Sequence, residues 1–166
     1  GRGSRTLASA GKTFAGSTGV TFVTGSAGTY TLQDALIVTN TITHSSGTFN
    51  ANGQNVTCSI LSSSNANTRT LTMGSGTWTL TGTGTVWNLS TTTNLTFSGA
   101  SSTILITDTS ASSKTFSSGT GAATYGTLTI SPTGSGAIIF GANNKTFSAL
   151  NCTGGSNTLT FNSSTT

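Results

Sequence analysis

Asp34 and Asp108 are the only acidic residues of the chain, Glu is absent, and His44 is the sole histidine. Hydrolysis of a glycosidic bond needs two carboxylates about 5–10 Å apart, one to protonate the leaving group and one to act as base or nucleophile. The two Asp stand far apart in the sequence, with no acidic neighbour beside either. Both therefore read as turn or strand-end residues. His44, Ser45 and Asp34 supply the residue types of a nucleophilic triad, but side chains adjacent in sequence do not converge, and no Gly-x-Ser-x-Gly elbow is present. Cys58 and Cys152 lie in opposite halves of the chain and match no metal-ligand spacing. They read as buried free thiols within strands, with one long-range disulfide as the alternative. Gly74-Ser75-Gly76 and Gly82-Thr83-Gly84 lack the following helix and the Lys of a phosphate-binding loop, so they read as turns. No cofactor and no metal is expected.

The composition is that of a polar but nearly uncharged chain. Of 166 residues only 5% are charged, against about 25% in an ordinary soluble domain. The net charge of +4 comes from six cations scattered along the chain. A nucleic-acid surface would cluster them on one face, so no nucleic-acid partner is expected. No apolar run reaches membrane-spanning length, and no membrane insertion is expected. The six Asn-x-Ser/Thr sequons say nothing about secretion, because Ser and Thr are so abundant that such triplets arise by chance.

The elements that must position these residues are strands. Thr70-Leu71-Thr72-Met73, Thr77-Trp78-Thr79-Leu80 and Asn94-Leu95-Thr96-Phe97 alternate polar and apolar residues, and Thr103-Ile104-Leu105-Ile106-Thr107 is a short apolar run between Thr residues, with Gly and Ser punctuation between these segments. Repetition is visible as well. Lys114-Thr115-Phe116-Ser117 returns as Lys145-Thr146-Phe147-Ser148, and Thr127-Leu128-Thr129-Ile130 returns at the same offset as Thr158-Leu159-Thr160-Phe161. Ser46-Gly47-Thr48-Phe49 returns at a slightly shorter offset as Ser75-Gly76-Thr77-Trp78, and Lys12-Thr13-Phe14 echoes the Lys anchor near the start.

A unit of about 29–33 residues recurs roughly five times, with three strands in its clearest copy, and predicts an all-β parallel β-solenoid of three-sided turns. An antiparallel β-sandwich or jelly roll is the alternative. Residues 1–11 are expected as an N-terminal arm or linker and 12–166 as a single repetitive domain. The last unit stops part-way, so the domain is expected to continue or to be covered by another chain at its C-terminal end. The expected core ladders stack Phe116 on Phe147, Leu128 on Leu159 and Ile130 on Phe161, with Lys114 over Lys145 on a solvated outer edge. In such a coil Asp34 and Asp108 lie more than two turns apart, about 10 Å or more along the axis. Trp78 and Trp87 take core-equivalent positions. Tyr125 has no aromatic partner at the offset of the Lys-Thr-Phe-Ser repeat and is the candidate surface contact.

The Lys-Thr-Phe and Thr-Leu-Thr repeats in a Thr/Ser/Gly/Asn-rich chain resemble parallel β-helix regions of bacteriophage tail fibres, spikes and other virion-surface proteins. They are similar also to repeats of bacterial surface adhesins. The resemblance implies a structural and adhesive, non-enzymatic module at an extracellular or virion surface. It also implies partners that are copies of itself (a homotrimer or higher assembly), other structural subunits and a host-surface glycan. A bacterial secreted adhesin or filament subunit is the alternative, and a polysaccharide-degrading β-helix enzyme is disfavoured by the shortage of carboxylates.

Overall fold

A computed structural model describes residues 3–25, 27–119, 121, 123–131, 136–142, 145–153 and 157–162. Thr and other β-branched residues fit a pleated ladder, and the period-two apolar pattern gives each strand one buried face. Every strand pairing is parallel, and strands pair with those one turn before and one turn after, which makes the fold a three-sided β-solenoid.

The chain visits sheets A, B and C in strict order. Layer one is β1 (Ser4–Leu7), β2 (Thr13–Phe14) and β3 (Val20–Val23). Then come β4 (Thr29–Leu32), β5 (Leu36–Val38) and β6 (Thr41–Asn50), which bends at a corner and also supplies sheet A of layer three. That layer continues with β7 (Val56–Cys58) and β8 (Ile60–Ser62), and the next holds β9 (Arg69–Thr72), β10 (Thr77–Leu80) and β11 (Gly84–Asn88). β12 (Leu95–Ile106) spans sheets A and B before β13 (Lys114–Ser117). β14 (Ala123–Ile130) with β15 (Ile138–Phe140), and β16 (Lys145–Cys152) with β17 (Leu159–Phe161), repeat that plan. Six steps of about 4.8 Å thus connect the layers, a stack about 29 Å deep.

Phe22, Phe49, Trp78, Trp87, Phe116, Phe140 and Phe161 form a chain of ring contacts that runs along the interior. Trp78 and Trp87 are fully buried, as the alternation implies. The bend in β6 rests on Gly47, whose φ of +75° and tight contact with Thr24 and the Gly28 carbonyl leave no room for a Cβ. In the final layer, inward positions lose their cover: Phe161 is 64% exposed, and Cys152 and Leu150 are exposed with it.

The register corrects the expected turn. The step from one layer to the next is uneven, short at Tyr30↔Phe49 and long at Trp87↔Phe116, and it never reaches the spacing of the Lys-Thr-Phe-Ser repeat. That repeat spans four sides, one full turn plus one further side. Lys114-Thr115-Phe116-Ser117 lies on sheet C and its repeat, Lys145-Thr146-Phe147-Ser148, on sheet A of the layer after next. Phe116 therefore stacks on Phe140 and Leu128 on Leu150, while Leu159 sits over Ile138, Ile130 under Cys152, and Phe161 over Phe140. Phe116 and Phe147 still meet, but across the interior, with ring centres 5.5 Å apart at 64°. The repeated unit is one side, a strand plus its corner, and any of the three sheets can host it.

Two further expectations change. Tyr125 is fully buried, not a surface residue: Phe147 stacks on it from the next layer, and its hydroxyl accepts a hydrogen bond from Trp87 Nε1 (3.2 Å). The stretch expected as an N-terminal arm already contains β1, in register with β4 from Ser4↔Thr29 to Leu7↔Leu32.

Candidate binding surface

Each residue type weighed for chemistry has a structural position. Asp34 sits at the corner between sheets A and B, where its carboxylate accepts the backbone N–H groups of Ser9 and Ala10, both at 2.7 Å. The Ser9 amide bond is the main cause holding this carboxyl below its ordinary range, against a smaller opposing effect of burial. Asp108 lies three layers further along, about 14 Å along the axis, at a corner between sheets B and C. It pairs with Lys114 Nζ at 2.8 Å and accepts the amide and hydroxyl of Ser110. Burial pushes the Asp108 carboxyl up, but the bonds from Lys114 and Ser110 outweigh it and leave it lowered. The two carboxylates do not face a common space.

Lys114 is fully buried rather than solvated on an edge, and it does not stack on Lys145. Each lysine opens its strand and turns back to the carbonyl four residues earlier, Lys114 to Ser110 (2.7 Å) and Lys145 to Gly141. Arg69, also fully buried, opens β9 in the same way. Its Nε donates to Ser63 Oγ (2.9 Å), and its terminal nitrogens donate to the carbonyls of Ser63, Asn67, Thr91 and Thr93. A guanidinium with these five bonds is satisfied without a carboxylate, because its planar fork matches converging carbonyls.

His44 completes this corner. Its Nε2–H donates to the Gly47 carbonyl (3.0 Å), which leaves Nδ1 to accept the Ser63 hydroxyl (3.3 Å). Ser63 thus accepts from Arg69 and donates to His44. Burial first, and the Arg69 charge with it, lower the His44 pKa to about 4 against the opposing bond to Gly47, so the ring is neutral at pH 7. Ser45 takes no part in the network. Cys58 is buried, its thiol pushed up to about 12 by burial, whereas Cys152 is exposed. Both occupy one column of sheet B, four layers or about 19 Å apart, too far for a disulfide.

The outer face of sheet A carries two aligned ladders. One ladder runs Ser4, Thr29, Thr48, Thr70, Thr96 and a second runs Thr6, Thr31, Asn50, Thr72, Ser98, all in direct register. The positions repeat about every 4.8 Å across strands and about 6.6 Å along them. Nine of the ten side chains carry a hydroxyl and none is charged. Such a face offers donors and acceptors in rows with little conformational entropy to lose, because β-branched Thr is already restricted at χ1. Alternation alone placed these residues outward, but only the register shows that they align. Among the described residues, no group of three or more His, Cys, Asp or Glu side chains could hold a metal. No helix among them is long and apolar enough to cross a membrane. No family model, no curated protein and no solved structure matches the chain, so the geometry stands without a relative beside it.

Proposed function

We propose that the chain is a rigid, adhesive structural module of an extracellular assembly, of the kind that builds phage virion fibres and spikes, and that it holds host-surface glycans without cleaving them. The observation that carries this reading is the uncharged double ladder of hydroxyls on sheet A. Glycan hydroxyls exchange hydrogen bonds with such rows one by one, each weakly, so affinity comes from many contacts made at once. The engagement of Asp34 and Asp108 in corner contacts supports binding without turnover. Copies of the chain are the proposed partners, since presentation in several copies multiplies weak contacts into avidity.

The test displays the chain in many copies on beads and measures retention of bacterial surface polysaccharides. Retention should exceed that of the free chain by at least about a hundredfold. It should fall when Thr48, Thr70 and Thr72 are changed to Glu, and no new reducing ends should appear. Retention unaffected by those changes would remove sheet A as the surface, and turnover lost in Asp34→Asn or Asp108→Asn would make the chain an enzyme.

A further inference from the structure

A second, separate site lies inside the corner between sheets C and A. In layers three and four this corner is filled, since Arg69 reaches Ser63 and closes the space with its guanidinium. The equivalents one layer on are Leu89 and Leu95, one residue past Ser62↔Asn88 and in register with Arg69, respectively. One layer further, Ser118 follows Ser117, the register partner of Asn88. Gly121 stands four residues ahead of Tyr125, whose partner Gly99 lies four beyond Leu95. The hydroxyl recurs at Ser118 while the side chain that would fill the corner is missing at Gly121.

The result is a cavity of about 170 Å³ walled by Leu89, Leu95, Phe97 and Ala123, with Thr92, Ser118 and Gly121 at its polar side. Leu95 and Phe97 point inward yet stay half-buried, and Gly121 is exposed, so the space opens at the corner surface. Ser118 is fully buried, and its Oγ has no hydrogen-bond partner. A buried hydroxyl left unpaired is costly, and a molecule entering the cavity would supply its partner.

We propose that this cavity binds a compact, uncharged amphiphile, a phenol or cyclic alcohol, with its ring against the apolar wall and its hydroxyl on Ser118 Oγ. The volume suits such a molecule, since an apolar cavity of about 150 Å³ accepts benzene. Among the described residues no charged side chain lines the cavity, so an ionised ligand would lose its hydration without compensation.

The experiment titrates the 15N-labelled full chain with phenol, benzene and benzoate and follows the backbone amides of Leu89, Leu95 and Ala123. Phenol should shift them saturably, benzene more weakly and benzoate not at all. Ser118→Ala should weaken phenol about fivefold to tenfold and leave benzene unchanged, because one hydrogen bond is lost. Gly121→Leu should abolish both by filling the space. Among the described residues a Cβ at Gly121 meets Thr92 at 3.4 Å or more, so Gly121→Ala serves as a milder second variant that reduces affinity. Absence of saturable shifts with every probe, or shifts indifferent to both Ser118→Ala and Gly121→Leu, would overturn the proposal.

Discussion

Acidification from pH 7 to about pH 5 should destabilise this protein through one residue. His44 is fully buried, bonded at both ring nitrogens, and linked through Ser63 to the Arg69 guanidinium. Its pKa is lowered from 6.5 to about 4 in the fold. Between those values the unfolded chain binds a proton that the folded chain refuses, so stability is full above the unfolded pKa and declines as pH falls. The slope approaches about 1.4 kcal/mol per pH unit and the loss totals about 3 kcal/mol before it levels off near pH 4. The window is clean down to about pH 5, because the chain has no Glu and both Asp carboxyls are lowered in the fold. Below about pH 5 the unfolded chain begins to protonate Asp34 and Asp108 while the folded chain resists, which adds a separate loss of stability. The assay is the urea unfolding free energy measured at half-unit steps from pH 7.5 to 3.5, with and without His44→Gln. The native chain should lose stability from pH 6.5 downward, and the variant should stay flat to about pH 5 and then show only the loss that comes from the two Asp. A flat native profile, or an equal slope in the variant, would refute the buried neutral imidazole.

Other perturbations separate the interior from the ends and corners. Phe116→Ala should cost about 3–5 kcal/mol of unfolding free energy, whereas Phe161→Ala, at a 64% exposed position, should cost well under half as much. Asp108→Asn should destabilise by about 2 kcal/mol, because it leaves the buried Lys114 ammonium with the Ser110 carbonyl but no counter-charge; an unchanged midpoint would place Lys114 in solvent. A neutral-pH thiol reagent should label one cysteine in the native chain, Cys152, and two in denaturant, since Cys58 is buried with its thiol held protonated. Rapid labelling of both would open sheet B.

The solenoid was legible because two signals coincide, period-two alternation within strands and repetition between them. The register was not, because the repetition counts sides. Anchors at Phe116 and Phe147 hold a constant offset, yet four sides separate them. Corners of unequal length also let the three sides of one turn take a short stretch of chain at Tyr30↔Phe49 and a much longer one at Trp87↔Phe116. The misplacement of Tyr125 follows directly, since its real neighbour, Phe147, falls well short of the repeat offset. Arg69 was missed although a signal existed. Arg5, Lys12, Arg69, Lys114 and Lys145 are each followed by Thr and then Leu or Phe. A cation two positions before an apolar residue shares its inward side. Where layers cover it on both sides, as at Arg69 and Lys114, the stem is buried and the head group turns back to the corner, whereas Arg5 and Lys12 in the first layer stay exposed. The cavity beside Ser118 could not be read at all, because it exists only where Gly121 stacks over Leu95.

The claim on which the rest stands is that three sides, not four, complete a turn, and paired cysteines test it most directly. In a chain carrying Cys58→Ala and Cys152→Ser, outward-facing Thr103 and Thr127 are register partners on β12 and β14. Adjacent parallel strands place them about 4.8 Å apart, within reach of a disulfide. Thr103→Cys with Thr127→Cys should therefore crosslink under mild oxidation. Thr115→Cys with Thr146→Cys, equivalent in the repeated motif but on different sheets, should not. Efficient crosslinking of the second pair with none of the first would contradict the three-sided register.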